Sequence, residues 1–191
     1  ATSKSFDMQA SMRILWDNLL PAVTNKKLSR DEPDNHVLSG LLTSRSLTAL
    51  PSSVPPQVIS KAYTVEKNGM GIHRIEIAAT PERCLITVET EGNTITITAS
   101  LTDWAIDENK GVPIIFPNTR INVTTALAAH AHWESEERLI LTLRYIETAH
   151  GDVVTIDFSG DQIQVSFLNS MASGNPDLSD DRKPLTGRLI A

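Results

Sequence analysis

A single cysteine, Cys84, in 191 residues excludes an internal disulfide and every zinc or iron centre that needs several thiolates. Aromatic residues are scarce as well, at 5%. Valine, isoleucine, leucine and alanine must therefore fill any core, which suits a closely packed sheet. There is no surplus of positive charge: 17 Lys and Arg stand against 23 Asp and Glu, a formal charge of -6. Nucleic acids and anionic membranes are bound by clustered cations that displace counterions, and neither partner is expected here. No apolar run approaches the ~20 residues of a membrane-spanning helix, so membrane insertion is not expected, and no signal peptide is recognisable. Because the sequence opens at Ala1 rather than methionine, it is expected to be a processed protein or an excised part of a longer one.

The catalytic motifs that are missing narrow the reading further. No serine stands three residues before a lysine, so the Ser-x-x-Lys nucleophile is absent, and Gly-x-Ser-x-Gly is absent too. Glycine-rich phosphate loops and the His-Glu-x-x-His zinc helix do not occur. Neither Tyr63 nor Tyr145 opens a Tyr-x-Asn triplet. No catalytic residue is assigned, and no cofactor is expected.

What the chain does contain is period-2 alternation. Leu127, Ala129, Ala131 and Trp133 share one face, with His130 and His132 on the other. Leu139, Leu141, Leu143, Tyr145 and Glu147 repeat the pattern, as do Val154, Ile156 and Phe158, and then Ile163, Val165 and Phe167. Short polar turns separate these runs, including Ser159-Gly160-Asp161. Upstream, Ala62–Glu66 and Ile72–Ala79 flank an Asn68-Gly69 turn, and Leu85–Thr90 and Thr94–Leu101 form a hairpin with a wet threonine face. Ile114–Phe116 is a further short candidate strand, and Leu185–Ile190 a tail that re-docks. These patterns predict a mainly β protein, an antiparallel up-and-down, lipocalin-like β-barrel of about 8–10 strands. The predicted organisation is a helical segment over residues 1–50, a Pro-rich linker over 51–57 and the barrel over 58–191. Its inward residues are bulky enough to fill the barrel, so no large cavity is expected.

Two amphipathic helices are predicted before the linker, over residues 6–22 and 31–46. Met8, Met12, Leu15, Trp16, Leu19 and Leu20 make the first stripe, with Pro21 at its end. Trp16 and Leu19 are the expected contact residues: the linker is long enough to let the helices fold back, so Trp16 is expected to pack on the barrel, and the alternative is a contact with another domain or with a second copy in a homodimer. Trp104 and Trp133 are expected to cap the core at strand ends. Glu147, on an inward face, needs a partner, for which Arg120 and Arg138 are the candidates. Metal chemistry would rest on His130 and His132, which share a strand face with Glu134, but the expected identity of that row is an exposed polar face. Cys84 reads as an inert small hydrophobe.

Several of these residues carry a family resemblance. Leu15-Trp16-Asp17-Asn18-Leu19-Leu20-Pro21-Ala22, the Pro-rich stretch, Trp133-Glu134-Ser135 running into Leu139–Leu143, Glu147-Thr148, and Phe158-Ser159-Gly160-Asp161 resemble the region that follows the catalytic domain in beta-lactamase-related serine hydrolases. These are the class C beta-lactamase and penicillin-binding-protein-like group. The resemblance covers most of the chain. It implies a non-catalytic C-terminal accessory domain, with the catalytic serine, lysine and tyrosine in a preceding domain of the same parent. It also implies a periplasmic or extracellular location, with the signal peptide on that preceding portion. The other class of function left open is a barrel that binds a small apolar ligand.

Overall fold

The computed structural model describes residues 12–23, 32–44, 48–107, 126–146, 148, 150–174 and 177–190. They fall into two compact units, one within residues 3–48 and one within residues 49–191. The expected strand at Ile114–Phe116, together with Arg120 and Glu147, lies outside the described residues.

The larger unit is a closed, mainly β barrel. Its strands are β1 (Ile59–Val65), β2 (Ile72–Ala79), β3 (Arg83–Thr90), β4 (Asn93–Ser100), β5 (Ala105–Asp107), β6 (Leu127–Ser135), β7 (Arg138–Tyr145), β8 (Gly151–Ser159), β9 (Gln162–Asn169) and β10 (Leu185–Leu189). Local chemistry sets the turns. Asn68 folds the chain between β1 and β2 by donating from Nδ2 to the carbonyls of Glu66 and Ile72 and accepting at Oδ1 from the Met70 N–H. Gly160, at φ +58°, makes the tight turn between β8 and β9.

Strands β1–β4 form one meander and β6–β10 another, and β1 joins β10 in antiparallel register with Tyr63 opposite Leu189. The barrel is closed by a parallel bridge between Ser100 of β4 and His130 of β6. The expected barrel is there, antiparallel at every other strand pair among the described residues. Nine strands make the ring, and up-and-down alternation around an odd ring must fail once. The short β5 turns back and pairs with Leu127–Ala129, on the same edge of β6.

The interior is filled by the alternation read from the sequence. Leu127, Ala129, Ala131 and Trp133 of β6 meet Leu139, Leu141, Leu143 and Tyr145 of β7, and all are buried. Ile75, Ile77, Ile86 and Val88 line the opposite wall. Each such side chain contributes about 1.5–3 kcal/mol when fully buried. The tail strand β10 does more than re-dock, because it is the piece between β9 and β1 without which the ring is open.

The proline-rich stretch belongs to the barrel unit. Trp133 N–H donates to Ser52 Oγ at 3.0 Å, and Ser53 N–H donates to Trp133 O at 2.8 Å. The free edge of β6 is thus covered in turn by β5, the end of β4 and residues 52–53, which leaves no row of open backbone groups there.

The smaller unit holds a π-helical turn, Leu15–Leu19, which runs into Leu20–Ala22, and a helix at Glu32–Thr43. Leu20 N–H donates to Leu15 O, five residues back, a wide turn of the kind that accommodates a following proline such as Pro21. The helix runs one residue past Pro21 and stops where Val23 becomes extended.

Candidate functional site

His130 and His132 project from the outer face of β6, where an exposed polar row was expected. The structure corrects this: His130 is only 1% exposed. Its cover comes from the bend before β5 and from the proline-rich stretch. His130 Nδ1 lies 2.9 Å from Asp103 O and Nε2 lies 2.9 Å from Leu50 O. Trp104 sits on one side of the imidazole with ring centroids 5.6 Å apart, and His132 stacks on it at 5.9 Å and 15°. Both ring nitrogens of His130 are therefore engaged by backbone, and neither is free to take a metal. His132 has its pKa lowered, first by burial and second by the neighbouring His130. No group of three or more candidate ligands exists among the described residues.

A buried polar cluster that the sequence pattern does not single out lies at the start of β8. Asp152, at the start of β8, is 1% exposed, and it accepts from Arg182 through Nη2 at 2.9 Å and Nη1 at 3.2 Å. Tyr145 Oη donates to Oδ2 at 2.6 Å, the oxygen that also accepts from Arg182 Nη1. Arg182 also forks onto Asp180, with Nε to Oδ1 at 2.9 Å and Nη2 to Oδ2 at 2.6 Å, and its guanidinium lies 4.8 Å from the centre of the Phe167 ring. Burial opposes the charge on Arg182, but the two carboxylates outweigh it and raise the pKa. Burial likewise would raise Asp180; hydrogen bonds from Arg182 and from the Asn169 N–H hold it below the ordinary value. Burial and the adjacent Asp152 raise the Tyr145 phenol. Both carboxylates are held by the one guanidinium, and the cluster ties residues 180–182 to the end of the barrel. A signal for it existed: Asp152 falls in phase with Val154 and Ile156, and a carboxylate on an inward face requires a partner.

Arg138, one of the partners considered for Glu147, pairs instead with Asp157 and Glu134 on the surface. Cys84 is buried and its thiol is pushed up to about 12 by burial, so it stays protonated and unreactive. Trp133 is an interior residue at 1% exposure, packed against Phe158 with centroids 5.7 Å apart. Tyr63 approaches the same Phe158 at 6.5 Å. The Tyr63 hydroxyl and Trp133 Nε1 are both buried without a hydrogen-bond partner among the described residues. Outside the barrel, Leu50, Val54, Pro55, Pro56, Pro81 and Leu101 line an open groove of about 600 Å³. Within the helical unit, among the described residues, Trp16 is 60% and Leu19 58% exposed.

No protein-family model matches the chain, and no curated protein matches it in a sequence search.

Proposed function

We propose that this chain is a non-catalytic accessory domain, a filled barrel whose helical segment docks on a serine hydrolase domain of the same parent protein and shapes access to its active site. The observation that carries the reading is the apolar stripe at Leu15, Trp16 and Leu19, exposed among the described residues. Apolar side chains grouped in this way mark a contact surface rather than a solvated one. The reading is consistent with the barrel, where the buried Asp152 is bound by Arg182 and Tyr145 and burial holds the Cys84 thiol protonated. The parent implied by the resemblance is exported to the periplasm or cell surface.

The purified chain is expected to leave nitrocefin, a p-nitrophenyl ester and a D-amino-acid peptide intact. Hydrolysis that disappears on replacement of a single serine would overturn the reading. In the absence of its partner domain the chain is expected to self-associate through the stripe, and Trp16→Ser with Leu19→Ser to leave a monomer in sedimentation equilibrium. The reading frame upstream of Ala1 should encode Ser-x-x-Lys and Tyr-x-Asn.

One observation favours a second reading, a module that binds a small apolar ligand. Tyr63 Oη and Trp133 Nε1 are two buried donors without a partner among the described residues, both beside Phe158, and a buried donor left unpaired costs about 1–3 kcal/mol. A fatty acid or acylated cell-wall fragment carries the acceptor they lack. A saturable thermal shift with such a compound, lost in Tyr63→Phe, would select this reading; a flat titration would remove it.

A further inference from the structure

We infer that the outer edge of β4, from Asn93 to Thr98, is a docking site for an extended segment of another polypeptide, which adds to the wall of the barrel as a further strand. The edge exists because β5 takes the place that β4 would fill. Continued from the parallel bridge of Ser100 and His130, the register would set Ala99, Thr98 and Ile97 beside Ala129, Ala128 and Leu127. Those residues of β6 pair instead with Ala105, Ile106 and Asp107. This leaves β4 with β3 on one side and, among the described residues, only the bridge at Ser100 on the other.

The ladder fixes which backbone groups point outward. Leu101 N–H donates to Glu82 O at 2.8 Å, one step beyond the pair of Arg83 and Ser100. By alternation, the pairs that exchange hydrogen bonds are Cys84 with Ala99, Ile86 with Ile97 and Val88 with Ile95. Thr94, Thr96 and Thr98 therefore turn both N–H and C=O away from β3. Thr87 Oγ1 and Thr96 Oγ1 lie 3.0 Å apart, the close approach typical of a pair that exchanges no backbone bonds. Among the described residues the outward groups of these threonines have no hydrogen-bond partner. Native proteins guard such an edge with lysine, proline or a bulge. Here Asn93–Ser100 contains no proline and no ionisable side chain, and its register with β3 is unbroken.

The side chains along the edge set the chemistry of the occupant. Ile95 and Ile97 are half-buried and buried, while Thr94, Thr96 and Thr98 are exposed on the outer face. An added strand matches them with β-branched apolar residues beside the isoleucines and small polar ones beside the threonines. The two ends differ. Glu91 is exposed next to Asn93, and the nearby Glu89 already holds Arg74, so a lysine or arginine fits there. Leu85, opposite Thr98 and 40% exposed, offers a long apolar side chain a foothold at the other end. A second copy of the chain matches less well. Paired about a twofold axis at Thr96, it would bring Glu91 to the apolar end of its partner, and a contact of two short edges buries less than a stable dimer needs.

The test uses the full chain and a peptide blocked at both ends, Phe-Val-Thr-Val-Thr-Val-Lys, with a control N-methylated on the alternate residues that would bond β4. Amide hydrogen exchange of the free chain is expected to find Ile95 and Ile97 protected and Thr94, Thr96 and Thr98 open. Saturating peptide should slow the threonine amides about tenfold, the scale of one net hydrogen bond, and the methylated control should leave them unchanged. Thr96→Pro deletes an outward N–H that β3 does not use, and it is expected to weaken peptide binding about tenfold. Threonine amides already protected in the free chain would show the edge to be occupied and overturn the inference. Protection that rises with chain concentration alone would assign the edge to a second copy and overturn it too, as would equal protection by the methylated control or none by the peptide. The peptide measurements stand even if Thr96→Pro fails to fold.

Discussion

Arg182 brings a full charge into the end of the barrel with its side chain 4% exposed, and Asp152 and Asp180 are its counterions. Such a group is worth little as a net contribution but a great deal once it is half removed. Arg182→Met is expected to cost about 3–5 kcal/mol, because it strands Asp152 with only the Tyr145 hydroxyl. Adding Asp152→Asn removes the stranded charge and should recover part of the loss in urea denaturation. Acid titrates the same cluster. The carboxyl of Asp180 is depressed in the folded state, so its contribution is complete above the ordinary carboxylate value of ~4. It is lost as the pH falls below that value and through the lower folded one, because the unfolded chain takes up the proton first. The unfolding midpoint should therefore drop between pH values of about 5 and 2, and Asp180→Asn should flatten part of that drop.

At the scale of the element, β10 is where a small change does most. Gly187 lies between Val65 and Ile163 in register, and a Cβ there would meet Ile163 Cγ1 at 3.1 Å and Tyr63 Cβ and Thr64 O at 3.3 Å. Gly187→Val should cost about 1–3 kcal/mol by overpacking against these neighbours, read from the denaturation midpoint; a cost under about 0.5 kcal/mol would mean that the wall yields freely. The same glycine explains why this strand was hard to read. Leu-Thr-Gly-Arg-Leu is five residues long and has no side chain at its central inward position, so its alternation is broken where it matters. By contrast β6–β9 were legible, since each carries three or more apolar residues in phase. His130 was illegible for another reason: a histidine in phase with polar neighbours reads as exposed, and its cover comes from 27 and 80 positions away. Asp152 could be recognised as a buried charge, but not its partner Arg182, 30 positions downstream.

At the scale of the whole molecule, the parity of the ring decides how the chain is threaded. Because β1 and β10 pair antiparallel as though they were consecutive, the point at which the covalent path and the strand order part company is not at the ends of the barrel. It is between β4 and β6, at the parallel bridge of Ser100 and His130. Written in the order β6-β7-β8-β9-β10-β1-β2-β3-β4, the same strands form one uninterrupted meander, and only its first and last members meet side by side. The natural order is therefore one cyclic rotation away from the simplest one. A circular permutant that starts at Ala126, joins Ile190 to Ala49 through a short glycine-serine link and ends after Asp107 should keep every strand pair. Its far-ultraviolet circular dichroism should match that of the parent barrel, and its denaturation should stay cooperative. Should the permutant fail to fold, the covalent step between β4 and β6 would be acting as a necessary guide to closure rather than as a connection that another could replace.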